Sequence, residues 1–170
     1  MRWLAAVLIL VAGNILPVCA QQPGGSIRVP AGARPILTAK GEGAQIYTCT
    51  ATPDGAKWTL KGPDARLLNA AGRQIGTHFA GPTWKLNDGS QVLGELVASQ
   101  PSPDPHSVAW LLLRAKAGSA TGSLAQVTFI RRTGTRGGVP AASGCHSPGD
   151  VGKTVRVRYS ATYTFYADQP

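Results

Sequence analysis

The stretch that decides the fold is Gly76–Ser90, GTHFAGPTWKLNDGS. A Gly-Pro corner lies at Gly81–Pro82, and the turn Asn87–Ser90 closes the stretch. An Asp-Gly step between short apolar strands favours a tight hairpin. The stretch therefore predicts three short strands joined by two sharp turns, and we expect it to set strand order and register.

The chain on either side continues the β pattern. Gln45–Ala51 is rich in β-branched and aromatic residues, and Val155–Ala167 places Val, Tyr and Phe on alternate positions. Lys40–Gly43 is expected to separate an earlier strand, Ile36–Ala39, from the next. Because no run predicts a helix of ten or more residues, we expect an all-β antiparallel sandwich or flattened barrel of about nine or ten strands, forming a single domain over residues 21–170.

Residues 1–20 have the pattern of a secretory signal peptide. Arg2 precedes the apolar run Trp3–Ala12, and Val18–Ala20 ends the segment with small residues before the expected cut. The run is too short for a membrane span, which needs about 20 residues, and no later stretch is long and apolar enough. We therefore expect a secreted or periplasmic protein. The alternative is a lipid anchor on Cys19, which the residue before it fits poorly.

Cysteine usage agrees with export. The chain has three cysteines, and removal of the signal leaves Cys49 and Cys145. An even number of cysteines in an oxidising compartment predicts a disulfide between them. Closing so long a loop contributes about 4–5 kcal/mol in the chain-entropy model. The alternative is a pair of buried free thiols.

The charge is strongly basic and uneven. The formal net charge is +9, and Leu111–Ser160 contains eight Lys or Arg residues but only one acid, Asp150. Such a balance attracts anionic partners, although an ordinary solvated surface has the same composition. Arg131, Arg132 and Arg136 lie beside a glycine loop and are candidate ligands for an anion. We find no dedicated nucleic-acid motif.

The histidines suggest two kinds of chemistry. His78, Asp88 and Ser90 are candidates for a base, an acid and a nucleophile. Turn geometry already accounts for Asp88 and Ser90, and no G-x-S-x-G motif is present. We therefore prefer a structural role for His78, in which its ring forms a hydrogen bond that fixes the chain beside Gly81–Pro82. His78, His106 and His146 are the candidate metal ligands, although no pair has the spacing of a zinc module.

Tryptophans offer a further candidate site. The simplest role of a tryptophan in a small β domain is burial in the core. Trp84 follows the Gly-Pro corner, so we name it with His78 as the candidate wall of a ligand pocket. Trp110 lies in an apolar run and is expected in the core.

Taken together, several segments resemble the exported bacterial and fungal domain-of-unknown-function family 3455. The segments are Gln45–Cys49, Gly76–His78, Ala80–Trp84, Asp88–Ser90, Trp110–Leu113 and Tyr159–Tyr166. The resemblance implies one exported domain without an established activity, and it supplies no catalytic residues. Some fungal relatives carry dehydrogenase labels, but no strand, glycine-rich loop and helix unit for a dinucleotide is present here, so we predict no cofactor.

We conclude from the sequence that the protein is an exported binding or cell-envelope module rather than an enzyme. The expected ligand is anionic or a glycan. The alternatives are a small secreted hydrolase using His78 and a metal-binding protein using the three histidines. The oligomeric state is left open.

Overall fold

A computed structural model describes residues 25–169. The predicted signal peptide, residues 1–20, and the alternative anchor on Cys19 lie outside this range. The described residues form eight strands, β1 Ala33–Thr52, β2 Gly55–Leu68, β3 Gln74–Phe79, β4 Thr83–Leu86, β5 Gln91–Gln100, β6 Trp110–Gly118, β7 Phe129–Gly137 and β8 Thr154–Asp168. Two single-turn 3₁₀ helices, Ala142–Gly144 and Pro148–Asp150, lie between β7 and β8.

The eight strands form one closed antiparallel ring. Each strand pairs with the next along the chain, and β8 pairs back onto β1. The all-β antiparallel prediction is therefore confirmed, with eight strands instead of nine or ten and with the sheet closed into a barrel rather than split into a sandwich. Because the sheet closes, every strand of the ring has a hydrogen-bonded neighbour on both sides.

The prediction that Lys40–Gly43 interrupts the first strand is wrong. β1 runs straight through this segment, pairing with β2 on one side and β8 on the other. Gly41 faces the interior, where a Cβ atom would lie 2.5 Å from Cε2 of Tyr163. The Tyr163 ring occupies the space that a side chain at position 41 would take, which explains the glycine. Pairing with β2 and β8 keeps the backbone extended there.

The hairpin in Gly76–Ser90 is confirmed. The Leu86 amide donates to the Ser90 carbonyl at 2.8 Å, and Gly89 has a φ of 86°, which glycine adopts readily. The Gly81–Pro82 corner joins β3 to β4, so that His78 pairs directly with Trp84. The stretch does set the order and register of three strands.

Inward-facing side chains fill the barrel. Those buried most completely include Leu67, Trp84, Val92, Ile130, Tyr163 and Phe165. The β6–β7 connection adds Leu124 and Val127 to this core. Alternate residues of β8 supply much of the core, as the sequence predicted.

A disulfide joins Cys49 to Cys145, which confirms the predicted pairing. It ties β1 to the connection between β7 and β8. The Trp58 indole donates to the Ala141 carbonyl at 3.0 Å and holds the same connection against β2. Residues 25–169 contain no helix with the length and apolar character that crossing a membrane requires.

Candidate functional site

A groove lies on the outer face of four adjoining strands, β2, β1, β8 and β7. Its volume is about 650 Å³, and its polar side chains are Glu42, Arg66, Arg136, Arg158 and Ser160. We call it the arginine groove. Gly43, Gly137 and Tyr159 complete its lining.

The strand register explains why these side chains meet. Glu42 of β1 pairs with Arg66 of β2 on one side and with Ser160 of β8 on the other, and Ser160 pairs with Arg136 of β7. Residues directly opposite one another in antiparallel strands face the same side of the sheet. The four residues therefore form one row across four strands, and Arg158 lies two positions along β8 on the same face.

The groove has an excess of positive charge. Glu42, its only carboxylate, pairs with Lys40 at 2.6 Å and lies 4.0 Å from the Arg66 guanidinium. The hydrogen bond from Lys40 lowers the pKa of Glu42 below its usual range, so this carboxyl is ionised at neutral pH. Among residues 25–169, neither Arg136 nor Arg158 pairs with a carboxylate.

Two further carboxylates, Asp64 and Asp104, lie near the groove. Asp64 is the closest carboxylate along β2, and Arg156 pairs with it at 2.7 Å. Asp104 lines a second groove together with Arg136, but the two side chains form no ion pair in the described part of the chain. Within that part, Arg136 and Arg158 therefore carry guanidinium groups without an ion-pair partner. Such groups bind carboxylates, sulfates and phosphates through paired N–H donors.

The three arginines named from the sequence lie in three different places. Arg136 is in the groove, because β7 departs from regular pairing between Thr133 and Arg136. Arg131 faces outward with its guanidinium 5.5 Å from the centre of the Tyr166 ring. Arg132 pairs with Tyr163 and shares its inward face. Adjacent residues of one strand cannot form one cluster, since they point to opposite sides.

His78 lies in the core. It is 2% exposed, stacks on Trp84 with ring centres 4.4 Å apart, and its Nδ1 is 2.8 Å from the Thr83 carbonyl. Burial lowers its pKa to about 3. The ring is therefore neutral at pH 7, and Nδ1 carries the proton that it donates to Thr83.

Trp84 is 1% exposed and packs against Tyr163 and Phe165. The structure therefore places the two aromatic candidates inside the barrel instead of in a surface pocket. Trp110, expected in the core, is only partly buried and lines a small outer groove of about 210 Å³.

Asp88 and Ser90 form a structural latch. The Ser90 hydroxyl donates to the Asp88 carboxylate at 2.6 Å, and the Ser123 amide donates to the other carboxylate oxygen at 2.8 Å. These bonds, led by that of Ser90, lower the pKa of Asp88. In the described part of the chain no hydrogen bond joins either residue to His78. The three candidates thus form no nucleophile–base–acid relay in this arrangement.

The remaining histidines lie on surface loops. The His106 amide is bonded to Asp104, and the His146 ring lies 3.1 Å from the Ser143 carbonyl. Across residues 25–169, no group of three His, Cys, Asp or Glu residues is placed to hold a metal ion.

Sequence reasoning missed two of the groove arginines, Arg66 and Arg158. A signal for Arg158 was present, because it alternates with Ser160 on the polar face of β8. No local sequence pattern connects Arg158 with Arg66. The two residues lie near each other only because of the register in which β1 pairs with β2 and with β8.

Comparison with known proteins gives a family but no activity. A family model described as "Protein of unknown function (DUF3455)" matches residues 30–167, which confirms the resemblance found in the sequence. No curated protein and no solved structure matches the chain.

Proposed function

The chain belongs to the DUF3455 family, and we propose that it is an exported module that binds an acidic glycan in the arginine groove. The observation that carries this proposal is the row Arg66–Glu42–Ser160–Arg136, with Arg158 beside it and with no carboxylate paired to Arg136 or Arg158 within residues 25–169. The function is binding, because the groove presents fixed cations and no arrangement of a nucleophile with a base.

The shape of the groove favours a polymer over a small enclosed ligand. It lies across the outer face of four strands and holds about 650 Å³. Several separated cations along an open surface each contact a different anionic group, and the individual contributions add up along one chain. Carboxylate or sulfate groups on successive sugars supply such a series of anions.

The polar groups between the arginines favour a sugar. Glu42 accepts hydrogen bonds, and the Ser160 hydroxyl both donates and accepts them. Sugar hydroxyls satisfy these groups, whereas Glu42 would repel a ligand that presents only phosphates. A glycan with acidic groups therefore fits the mixed lining better than a uniformly charged polyphosphate does.

Export is supported by the disulfide. Cys49 and Cys145 are bonded, and such bonds persist in secreted and periplasmic proteins because those compartments are oxidising. The predicted signal peptide points the same way. Acidic glycans of the cell envelope and its surroundings are accessible to a protein in these compartments.

The test compares two triple variants with equal loss of charge. The groove variant replaces Arg66, Arg136 and Arg158 with Gln, and the matched variant replaces the exposed Lys57, Arg73 and Lys85 with Gln. Binding is measured by titration calorimetry with polygalacturonate and heparin as acidic glycans and with dextran as the neutral control.

An exposed ion pair contributes about 0.5–1 kcal/mol, so loss of three should weaken binding by roughly ten- to a hundredfold in the groove variant. The matched variant should bind nearly as well as the wild type. Equal weakening in both variants would show that binding depends on the net charge of the protein and not on the groove. If the wild-type protein binds neither polygalacturonate nor heparin, the proposal is refuted.

A further inference from the structure

A second cluster of polar side chains lies inside the barrel, near the point where β7 ends. Its members are Gln45, Tyr47, Arg132, Tyr159 and Tyr163. Gly138, just beyond β7, lies against it, because a Cβ atom there would approach side-chain atoms of Tyr159 and Gln45 at 3.0 and 3.3 Å. The Tyr47 hydroxyl donates to the Gly138 carbonyl at 2.8 Å, which connects the cluster to this segment.

Gln45 is the least expected member of the cluster. It is 1% exposed, yet neither its amide nitrogen nor its amide oxygen has a hydrogen-bond partner in the protein. An unpartnered buried amide costs about 1–3 kcal/mol. An apolar residue of similar size would avoid that cost, so the position needs another reason to hold a glutamine.

Arg132 brings a positive charge to the same cluster. Its Nε and one terminal nitrogen donate to the Ala109 carbonyl at 3.0 and 2.8 Å. No carboxylate between residues 25 and 169 pairs with it. A guanidinium has five N–H donors in a planar fork, so this arrangement leaves donors available on a partly buried cation.

The tyrosines lie within the influence of this cation. The Tyr159 and Tyr163 hydroxyl oxygens are 3.2 Å apart. Burial raises the pKa of Tyr47, Tyr159 and Tyr163, and the Arg132 charge opposes that rise in each case. All three hydroxyls therefore stay protonated at neutral pH, with Tyr47 donating to Gly138 and one of Tyr159 and Tyr163 donating to the other.

We propose that this cluster binds a small carboxylate-bearing molecule, held by the Arg132 guanidinium and the Gln45 amide. A carboxylate accepts up to four hydrogen bonds and neutralises one cation, so it supplies acceptors for the Arg132 guanidinium and for the Gln45 Nε2 group. The partly buried apolar residues Val108 and Leu111 pack against the core nearby and suit the apolar part of such a molecule. The inner site shares Tyr159 with the lining of the arginine groove, but its cation and its amide, Arg132 and Gln45, are not groove residues.

Benzoate is the probe, with benzamide as its uncharged analogue. Benzoate should raise the melting temperature with increasing concentration, as a ligand selective for the folded state does. In ¹H–¹⁵N spectra of the ¹⁵N-labelled protein it should shift the amide signals of Gly138 and Ala109. Benzamide should do neither at the same concentration.

Gln45→Met removes the amide and keeps the length of the side chain. It should weaken benzoate binding by about tenfold, the cost of one charge-assisted hydrogen bond, without lowering the melting temperature of the ligand-free protein. A merely structural glutamine would give a lower melting temperature instead. Arg132→Lys retains the charge but loses the fork, and it provides the same comparison if Gln45→Met does not fold.

The double variant Arg136→Gln with Arg158→Gln tests the outer groove as the source of the signal. It should bind benzoate as the wild type does. Loss of benzoate binding in this variant, with retention in Gln45→Met, would overturn the proposal. Unchanged Gly138 and Ala109 signals at millimolar benzoate would overturn it as well, whatever the outcome for glycans.

Discussion

Lowering the pH from 7 to 5 should destabilise the barrel by about 2 kcal/mol through one side chain, His78. Its ring is 2% exposed and stacked on Trp84 in the core. Burial lowers its pKa to about 3 in the folded protein, against an ordinary value of 6.5. Between these two values the unfolded chain binds a proton that the folded protein excludes.

The sign and size follow from this difference. Stability from His78 is complete above pH 6.5 and is lost as the pH falls toward 3. At pH 5 the unfolded imidazole is almost fully protonated, about 1.5 pH units below its pKa, and each unit is worth about 1.4 kcal/mol. Carboxyl groups add little in this window, since they titrate near pH 4 in the unfolded chain. Asp88 and Asp150, whose pKa values are lowered by hydrogen bonds, add their losses only below about pH 5.

The assay is urea denaturation at pH 7, 6 and 5, followed by tryptophan fluorescence. His78→Phe should be less stable at pH 7, because the Thr83 carbonyl loses its donor, but its stability should not change between pH 7 and pH 5. A double variant of the surface residues, His106→Gln with His146→Gln, should retain the wild-type dependence. A pH-independent wild type, or an undiminished loss in His78→Phe, would refute the buried neutral imidazole.

Three further changes probe the barrel and its connections. Reduction of the Cys49–Cys145 disulfide, which spans 96 positions, should lower the free energy of unfolding by about 5 kcal/mol in urea titrations with and without reductant. Gly41→Ala should cost about 1–3 kcal/mol by the same method, because the new methyl group meets the buried Tyr163 ring at 2.5 Å. Asp88→Asn should speed hydrogen exchange of the Ser123 amide, because a carboxylate that accepts its bond is replaced by a neutral amide.

The Gly41 variant has a matched control in the chain. Gly149→Ala adds a methyl group with no atom nearer than 3.9 Å, so its stability should stay within about 0.5 kcal/mol of the wild type. A similar cost at Gly41 and Gly149 would contradict the account of the core. Unchanged stability on reduction would contradict the stabilising role of the disulfide. An unchanged exchange rate of the Ser123 amide in Asp88→Asn would contradict the latch formed by Asp88 and Ser90.

Local patterns in the sequence predicted much of the fold. The alternation in β8 identified its buried face, and the Asp-Gly turn identified the β4–β5 hairpin. The continuity of β1 was not predicted, because Gly41 and Gly43 resemble strand breakers when read locally. Gly41 makes room for the ring of Tyr163, which is distant in sequence, and Gly43 lies against the backbone of β2. Closure of the sheet depends on pairing between the first and last strands, which no local pattern reveals.

The candidate site was only partly accessible from the sequence. Arg136 was named because it is basic and lies beside glycines, and it does line the groove. His78, Asp88 and Ser90 are close in the chain, but His78 bonds to Thr83 while Asp88 and Ser90 bond to each other. Arg66 required knowledge of register across four strands, which the hydrophobic pattern of one strand does not specify.

The most direct test of the arginine groove is the salt dependence of its affinity for polygalacturonate. The logarithm of the dissociation constant should rise with the logarithm of the salt concentration for the wild-type protein, because its cations release bound counterions. In the variant lacking Arg66, Arg136 and Arg158 the slope should fall by up to about 3, one for each arginine. The variant of Lys57, Arg73 and Lys85, equal in charge, should keep the wild-type slope. Identical slopes for both variants would contradict a localised site.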